Sequence, residues 1–255
     1  MRGNYKSGVK MLFLISVILF ISSCSGKDDF KLAKNGVTVK CRDASVGESG
    51  TVGGVTYTKR TKGQITTSNA ATTCTSGITN MSNMFAGARS FNQDIGSWDV
   101  SKVKNMRGMF AGDKSFNQNI GSWDVSNVTN MSGMFFRDTS FNQNISHWDV
   151  KKVTDMSDMF SHASSFDQDI GNWDVSNVTN MHGMFAHADS FNQDIGNWDV
   201  SNVTNMSHMF ADAGSFNQDL SGWCVSKITS KPEFFSDGTA LTKNHLPKWG
   251  TCPGQ

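Results

Sequence analysis

Six copies of one 25-residue unit occupy residues 78–227, starting at Ile78, Val103, Val128, Val153, Val178 and Val203. A degenerate seventh begins at Ile228. Self-similarity at a fixed period of this size predicts supersecondary units that stack, each covering the apolar face of the next. It also argues against an ordinary enzyme. A catalytic site needs one unique constellation, and here nearly every polar group recurs six times.

Two periodicities share each unit. Val103, Met106, Met109 and Phe110 recur at helical spacing and predict one face of a short helix, with Thr or Asn ahead of the first Met as its N-cap. Trp98 and Val100 alternate with Ser97, Asp99 and Ser101, which predicts a short strand. Twelve of the 14 Met and six of the seven Trp hold equivalent positions. Two Phe columns begin at Phe85 and Phe91, and a third apolar column at Ile95. No single unit can bury so much apolar surface, but stacked neighbours can.

The expected fold class is therefore an α/β repeat solenoid. Its coils would be leucine-rich-repeat-like, each with one short parallel strand and one short helix. A β-rich N-terminal cap and a disulfide-closed C-terminal cap would flank them. Ile95, Trp98 and Val100 stand where a leucine-rich repeat strand places its apolar residues. The recurring word VTNMSxMFxxAxSFNQDIGxWDVSN resembles the repeat of the BspA-like bacterial surface proteins, relatives of the leucine-rich repeats. That resemblance covers residues 78–227. It implies a cell-surface lipoprotein with a repeat domain, sometimes linked to adhesion, and brings no catalytic residues.

The ends predict a route and an anchor. Residues 1–23 read as a signal peptide: Arg2, Lys6 and Lys10 precede an apolar run at 11–21 too short to span a bilayer. Ile21-Ser22-Ser23-Cys24 resembles a lipobox, with Cys24 the lipidated residue. Lys27, Asp28 and Asp29 resemble the export signal of Bacteroidetes surface lipoproteins. The expected organisation is signal peptide 1–23, tether 24–35, N-terminal cap 36–77, repeats 78–227, and degenerate repeat plus C-terminal cap 228–255. Within the first cap, Gly53-Gly54 predicts a hairpin turn. Setting Cys24 aside leaves Cys41, Cys74, Cys224 and Cys252, an even number in an oxidising compartment. Three pairings are possible, and pairing within each cap is the simplest. Cys224 stands where earlier copies carry Asp.

Charge excludes one partner class. The formal charge is +1, and removing the three leader cations leaves about −2. With no basic stripe among aromatics, no nucleic-acid partner is expected. The repeats hold 16 Asp, no Glu and nine Lys plus Arg. Asp99, Asp124, Asp149, Asp174 and Asp199 form a like-charge column, a possible ligand or cation face, although local hydrogen bonds to Ser101 and its equivalents would also hold it. The Asn-Gln pairs at 92–93, 117–118 and 192–193 predict a structural amide ladder. His162 and His187 sit one repeat apart, and His147, His182 and His208 fall in variable positions; without matched spacing of partners, no metal site and no cofactor are expected. No coil presents an added acid with a reason for a raised pKa. The expected function is a non-catalytic interaction or adhesion module, lipid-anchored in the outer membrane and exposed at the cell surface. Its partner would be an extracellular protein or glycan. A cell-envelope carbohydrate-active hydrolase using a carboxylate pair, or a ligand-free spacer, are the competing readings.

Overall fold

The computed structural model describes residues 29–254. The expected signal peptide, Cys24, Lys27 and Asp28 lie outside the described residues. The N-terminal unit is built on five short strands. β1 (Lys31–Leu32), in the segment read as tether, pairs antiparallel with β2 (Val39–Lys40) of the cap. β3 (Ser49–Val52) and β4 (Val55–Lys59) form the hairpin, and β5 (Thr73–Cys74) adds in parallel to β4. Both turn glycines are left-handed, Gly53 at φ 58° and Gly54 at φ 83°, as a two-residue hairpin turn of this hand requires. Phe30, Val39, Ala44 and Tyr57 close a small core around the Cys41–Cys74 disulfide.

The repeats contradict the helix-plus-strand coil. Among the described residues no α-helix forms, and the helical half of each unit is a run of tight turns. The third coil shows why. The N–H groups of Met131, Gly133, Phe135 and Arg137 donate across to the carbonyls of Asp155, Ser157, Met159 and Ser161 in the next coil, at 2.7–3.0 Å. Those of Met134, Phe136 and Asp138 turn inward to residues three positions earlier, at 2.9–3.1 Å. Ser132 donates to the Asn130 side chain at 2.9 Å. Every donor from 131 to 138 is thus committed, and none remains for the i to i−4 ladder of an α-helix. Two left-handed residues four apart, Gly133 and Arg137, both at φ 59°, break right-handed helical winding outright.

The strand half fails for a related reason. The Trp123 N–H closes a turn on Ile120 at 3.1 Å, and Val128 closes another on Val125 at 2.8 Å. Inter-coil pairing there passes to side chains: Trp123 Nε1 donates to the Ile95 carbonyl at 3.1 Å, and Asn127 Nδ2 to that of Ser101 at 2.9 Å. Parallel pairing between coils does occur, but as isolated bridges along Asn80, Asn105, Asn130, Asp155, Asn180 and Asn205. The residue expected to cap a helix caps a turn instead. Asn105 Oδ1 accepts the Arg107 N–H at 2.9 Å, two residues on.

The apolar columns meet as expected. Phe110 and Phe116 stack within a coil at 3.9 Å between ring centroids, and Phe110 meets Phe135 of the next coil at 5.6 Å. The Trp rings run parallel at 6.3–6.5 Å from Trp98 to Trp173. Val103, Met106 and Met109, with their equivalents in the later coils up to Met209, are buried in the same continuous core, while Ile78 and Met84 of the first coil are partly buried against it. At the far end Phe235 turns edge-on to Phe210 (87°) and to Trp249 (81°), which ends the stack. A Cys224–Cys252 disulfide ties that closing segment to the last coil.

The turn architecture predicts an inverted glycine rule. Gly133→Ala is expected to destabilise by about 1–2 kcal/mol, the cost of a Cβ in left-handed backbone. Asp158→Gly, at the same slot one coil later with φ 54°, is expected to stabilise. Denaturant melts of the two variants check this, and a helical coil would give the opposite order. Cys252→Ser is expected to raise hydrogen exchange around Trp223 and Trp249 before it does so around Trp148, because coils couple to neighbours.

Candidate functional site

The conserved columns of the unit are spent on the core and on ladders. The amide ladder forms: Asn117 Oδ1 accepts both the Asn142 N–H at 3.0 Å and Gln143 Nε2 at 2.9 Å, and the step recurs from Asn92 through Asn192. It runs along the half-buried surface and joins loop to loop. The Asp column is likewise held locally. Asp124 Oδ1 accepts the Ser126 N–H at 3.2 Å and its hydroxyl at 2.6 Å. Asp149 and Asp199 accept the N–H two residues on, and Asp174 adds Lys151 at 3.7 Å. Four of the five carboxylates are exposed, while Asp99 is buried beneath the N-terminal cap. Burial pushes its carboxyl up, but hydrogen bonds from Ser101 and from Ser76 (2.7 Å), with Lys40 nearby, outweigh that and hold it below the usual range. Among the described residues no group of three or more His, Cys, Asp or Glu is placed to hold a metal ion. Asp29, of the expected export signal, is half-buried.

Part of what varies from coil to coil lies on the turn run, and part, as at Ser97, Ser122, His147 and Asn172, lies elsewhere. The slots at 82 and 83, 86 and 87, and their 25-residue equivalents carry Arg107, Phe136, Arg137, Asp158, His162, His182, His187, His208 and Asp212. Inter-coil hydrogen bonds set these residues side by side. His162 and His187 stack at 4.2 Å, and His187 Nε2 lies 3.7 Å from Asp212. His182 Nδ1 is 2.8 Å from Ser207 Oγ, and the His182 and His208 rings meet at 5.4 Å. Burial pushes the Asp158 carboxyl up, against the pull of His182. Burial, with His187 and Arg137 adding to it, pushes the His162 imidazole down. Across the first four coils the same face has a different character. A cleft of about 270 Å³ has Gly108 and Gly133 among its lining, with Phe136, Arg107 and Asp158 beside them. Arg137 lies over the Phe136 ring at 5.0 Å.

Reading the His as scattered surface residues missed this grouping. The usable signal was that left-handed slots accept Gly, Asn, Asp and His, so the slots filled by His mark the turn face. Reading no coil as carrying an added acid was also wrong. Asp113 and Asp138 replace the Ala found at this slot in the other four coils, Ala88, Ala163, Ala188 and Ala213. Both are fully buried, and each leaves Oδ2 without a partner. Burial pushes Asp113 up to about 6. Burial, and then the Asp113 charge, push Asp138 up to about 8. With no accessible surface, neither carboxyl is placed to touch a substrate.

The family model described as "Mycoplasma protein of unknown function, DUF285" matches residues 58–165 and again 136–249, two overlapping spans that together cover the turn-built coils. The chain belongs to the DUF285 family. No curated protein and no solved structure matches it. The double match of the DUF285 model is what a repeat family gives when one model is long enough to span several coils. The site of this DUF285 chain is therefore read from its own variable slots.

The buried acids make stability depend on pH. Their folded pKa values exceed the unfolded value of 3.8, so the folded state holds extra protons between those limits. The contribution of these two acids is expected to be full below about 3.8 and to be lost as pH rises through about 6 and about 8, whereas that of Asp99, held low, is lost as pH falls. Asp138→Ala restores the residue of the other coils. It is expected to raise Tm at pH 8 by at least about 3 °C and to flatten the profile, measured by thermal melts across pH.

Proposed function

We propose that this protein is a surface-anchored bacterial lipoprotein whose stacked coils act as a non-catalytic interaction or adhesion module. Its partner is an extracellular protein or glycan, and the membrane contact is the lipid on Cys24. The observation that carries the reading is the separation of roles within each coil. Repeated residues supply core and ladders, while a group of residues that differ from coil to coil gathers on the turn face around Arg107, Phe136 and the four His. A rigid scaffold with one diversified face is the arrangement that recognition by stacked repeats uses.

The BspA-like resemblance supports the same reading, because that family joins a lipoprotein leader to a repeat domain. Ile21-Ser22-Ser23-Cys24 supports lipidation, and Lys27-Asp28-Asp29 supports export to the outer face of the outer membrane.

Two experiments test the proposal. Purified protein on a glycan and matrix-protein array is expected to capture a ligand, and Phe136→Ala with Arg107→Ala is expected to weaken capture at least tenfold, about 1.4 kcal/mol, without lowering Tm. Undiminished capture by that folded double variant would remove the turn face from the proposal. In cells, Cys24→Ser is expected to abolish fatty-acid labelling and release the protein from membranes, and persistent labelling would overturn the anchor.

A further inference from the structure

A second cleft lies where the N-terminal cap meets the first coil, beside the start of the turn face. It has a volume of about 530 Å³ and is lined by Lys59 at the end of β4, Arg60 and Lys62 just beyond it, Val46, and residues 76–80, which join the cap to the first coil. Three cations line it and no carboxylate does. Each cation is held by neutral acceptors. Lys59 Nζ donates to the carbonyls of Arg42 (3.0 Å) and Ala44 (2.7 Å). Arg60 Nη1 donates to the Thr72 carbonyl (3.0 Å) and Thr73 Oγ1 (2.9 Å). Lys62 Nζ reaches the carbonyl and hydroxyl of Ser82. None of the three takes part in the ion pairs formed among the described residues. Glu48, beside the same hairpin, accepts the Ser45 N–H at 2.6 Å and does not line the cleft.

These bonds have two consequences. A carbonyl orients an ammonium or guanidinium but leaves its charge whole, so the cleft keeps a positive field. All three side chains are half-buried and fixed in place, so an incoming anion does not have to order them, which is the main entropic cost of binding with lysine. The rest of the wall is apolar or neutral: Val46 is half exposed at 51% and Ile78 packs against the core. A volume of about 530 Å³ lies in the range of small-ligand clefts. Strand β4, which borders the cleft, has both edges occupied by β3 and β5. An extended peptide therefore cannot add to it as a strand.

We infer that the cap–coil cleft binds an acidic saccharide, its carboxylate or sulfate held by Lys59, Arg60 and Lys62 and the apolar face of a sugar ring set against Val46 and Ile78. The cleft shares no lining residue with the turn-face cleft, so variants at Lys62 and Val46 test it separately from those at Phe136 and Arg107.

The test is calorimetric titration of the full chain with three probes: trigalacturonate, a heparin-derived tetrasaccharide, and neutral N-acetylchitotriose. One or both acidic probes are expected to bind, and their relative affinity assigns carboxylate or sulfate. Raising NaCl to about 0.5 M should weaken binding by screening the cations. Lys62→Gln, whose amide can still donate to Ser82, should raise Kd at least tenfold, whereas Lys231→Gln, an exposed lysine of the C-terminal segment, should leave it unchanged. Because Arg60 and Lys62 also tie the cap together, Val46→Glu serves as the second variant. It removes no hydrogen bond, brings an acid into the cleft, and should also weaken binding at least tenfold. The inference is overturned if neither acidic probe binds, if chitotriose binds equally well, or if folded Lys62→Gln and Val46→Glu proteins bind as the parent does. Binding of an acidic peptide in the cleft, with none of the saccharides, would overturn it in favour of a protein ligand.

Discussion

The alternation of backbone donors along the turn run holds the molecule together. One N–H points along the stack to the next coil and its neighbour folds back three residues, so a segment that is neither helix nor strand leaves no donor stranded between 131 and 138. The left-handed slots make this possible, because they reverse the chain every four residues. The core follows from it. With the turns fixed, Met and Phe of each coil fall on those of the next, and the Phe and Trp columns form continuous stacks.

Much of this was legible in the sequence, but not the local structure. The repeat boundaries, the apolar columns, the Gly53-Gly54 hairpin and the amide ladder follow from period and residue type alone. The helix did not form because Val103, Met106, Met109 and Phe110 satisfy a helical pattern that tight turns satisfy equally well over so few residues. The deciding information lay in Gly108, Gly133 and Gly183, with Asn83, Asp158 and His208 as their equivalents. These residues share tolerance of left-handed backbone, a property invisible to apolar periodicity. The strand failed because Asp and Asn side chains around Trp98 take up the backbone donors that a ladder would use.

The same bias toward the repeating word hid the departures from it. Asp113 and Asp138 look like two more acids in an Asp-rich chain until their slots are compared with Ala88 and Ala163. Once compared, they are a deviation inside the core, where substitutions are costly. The turn face was hidden in the same way, since His162 and His187 gain meaning only from being stacked by coils that are otherwise alike.

Near-identity of the coils has a consequence for how the chain finds its register. Each rung offers almost the same donors, rings and amides as the next, so a chain that skipped one coil and looped it out would still satisfy most of its bonds. The interior of the stack therefore cannot count. Counting falls to the two ends, where the cap β-sheet meets the first coil and Phe235 and Trp249 cover the last. The disulfides at those ends serve as fiducial marks as well as braces: they fix the origin and terminus of a ruler whose divisions are interchangeable.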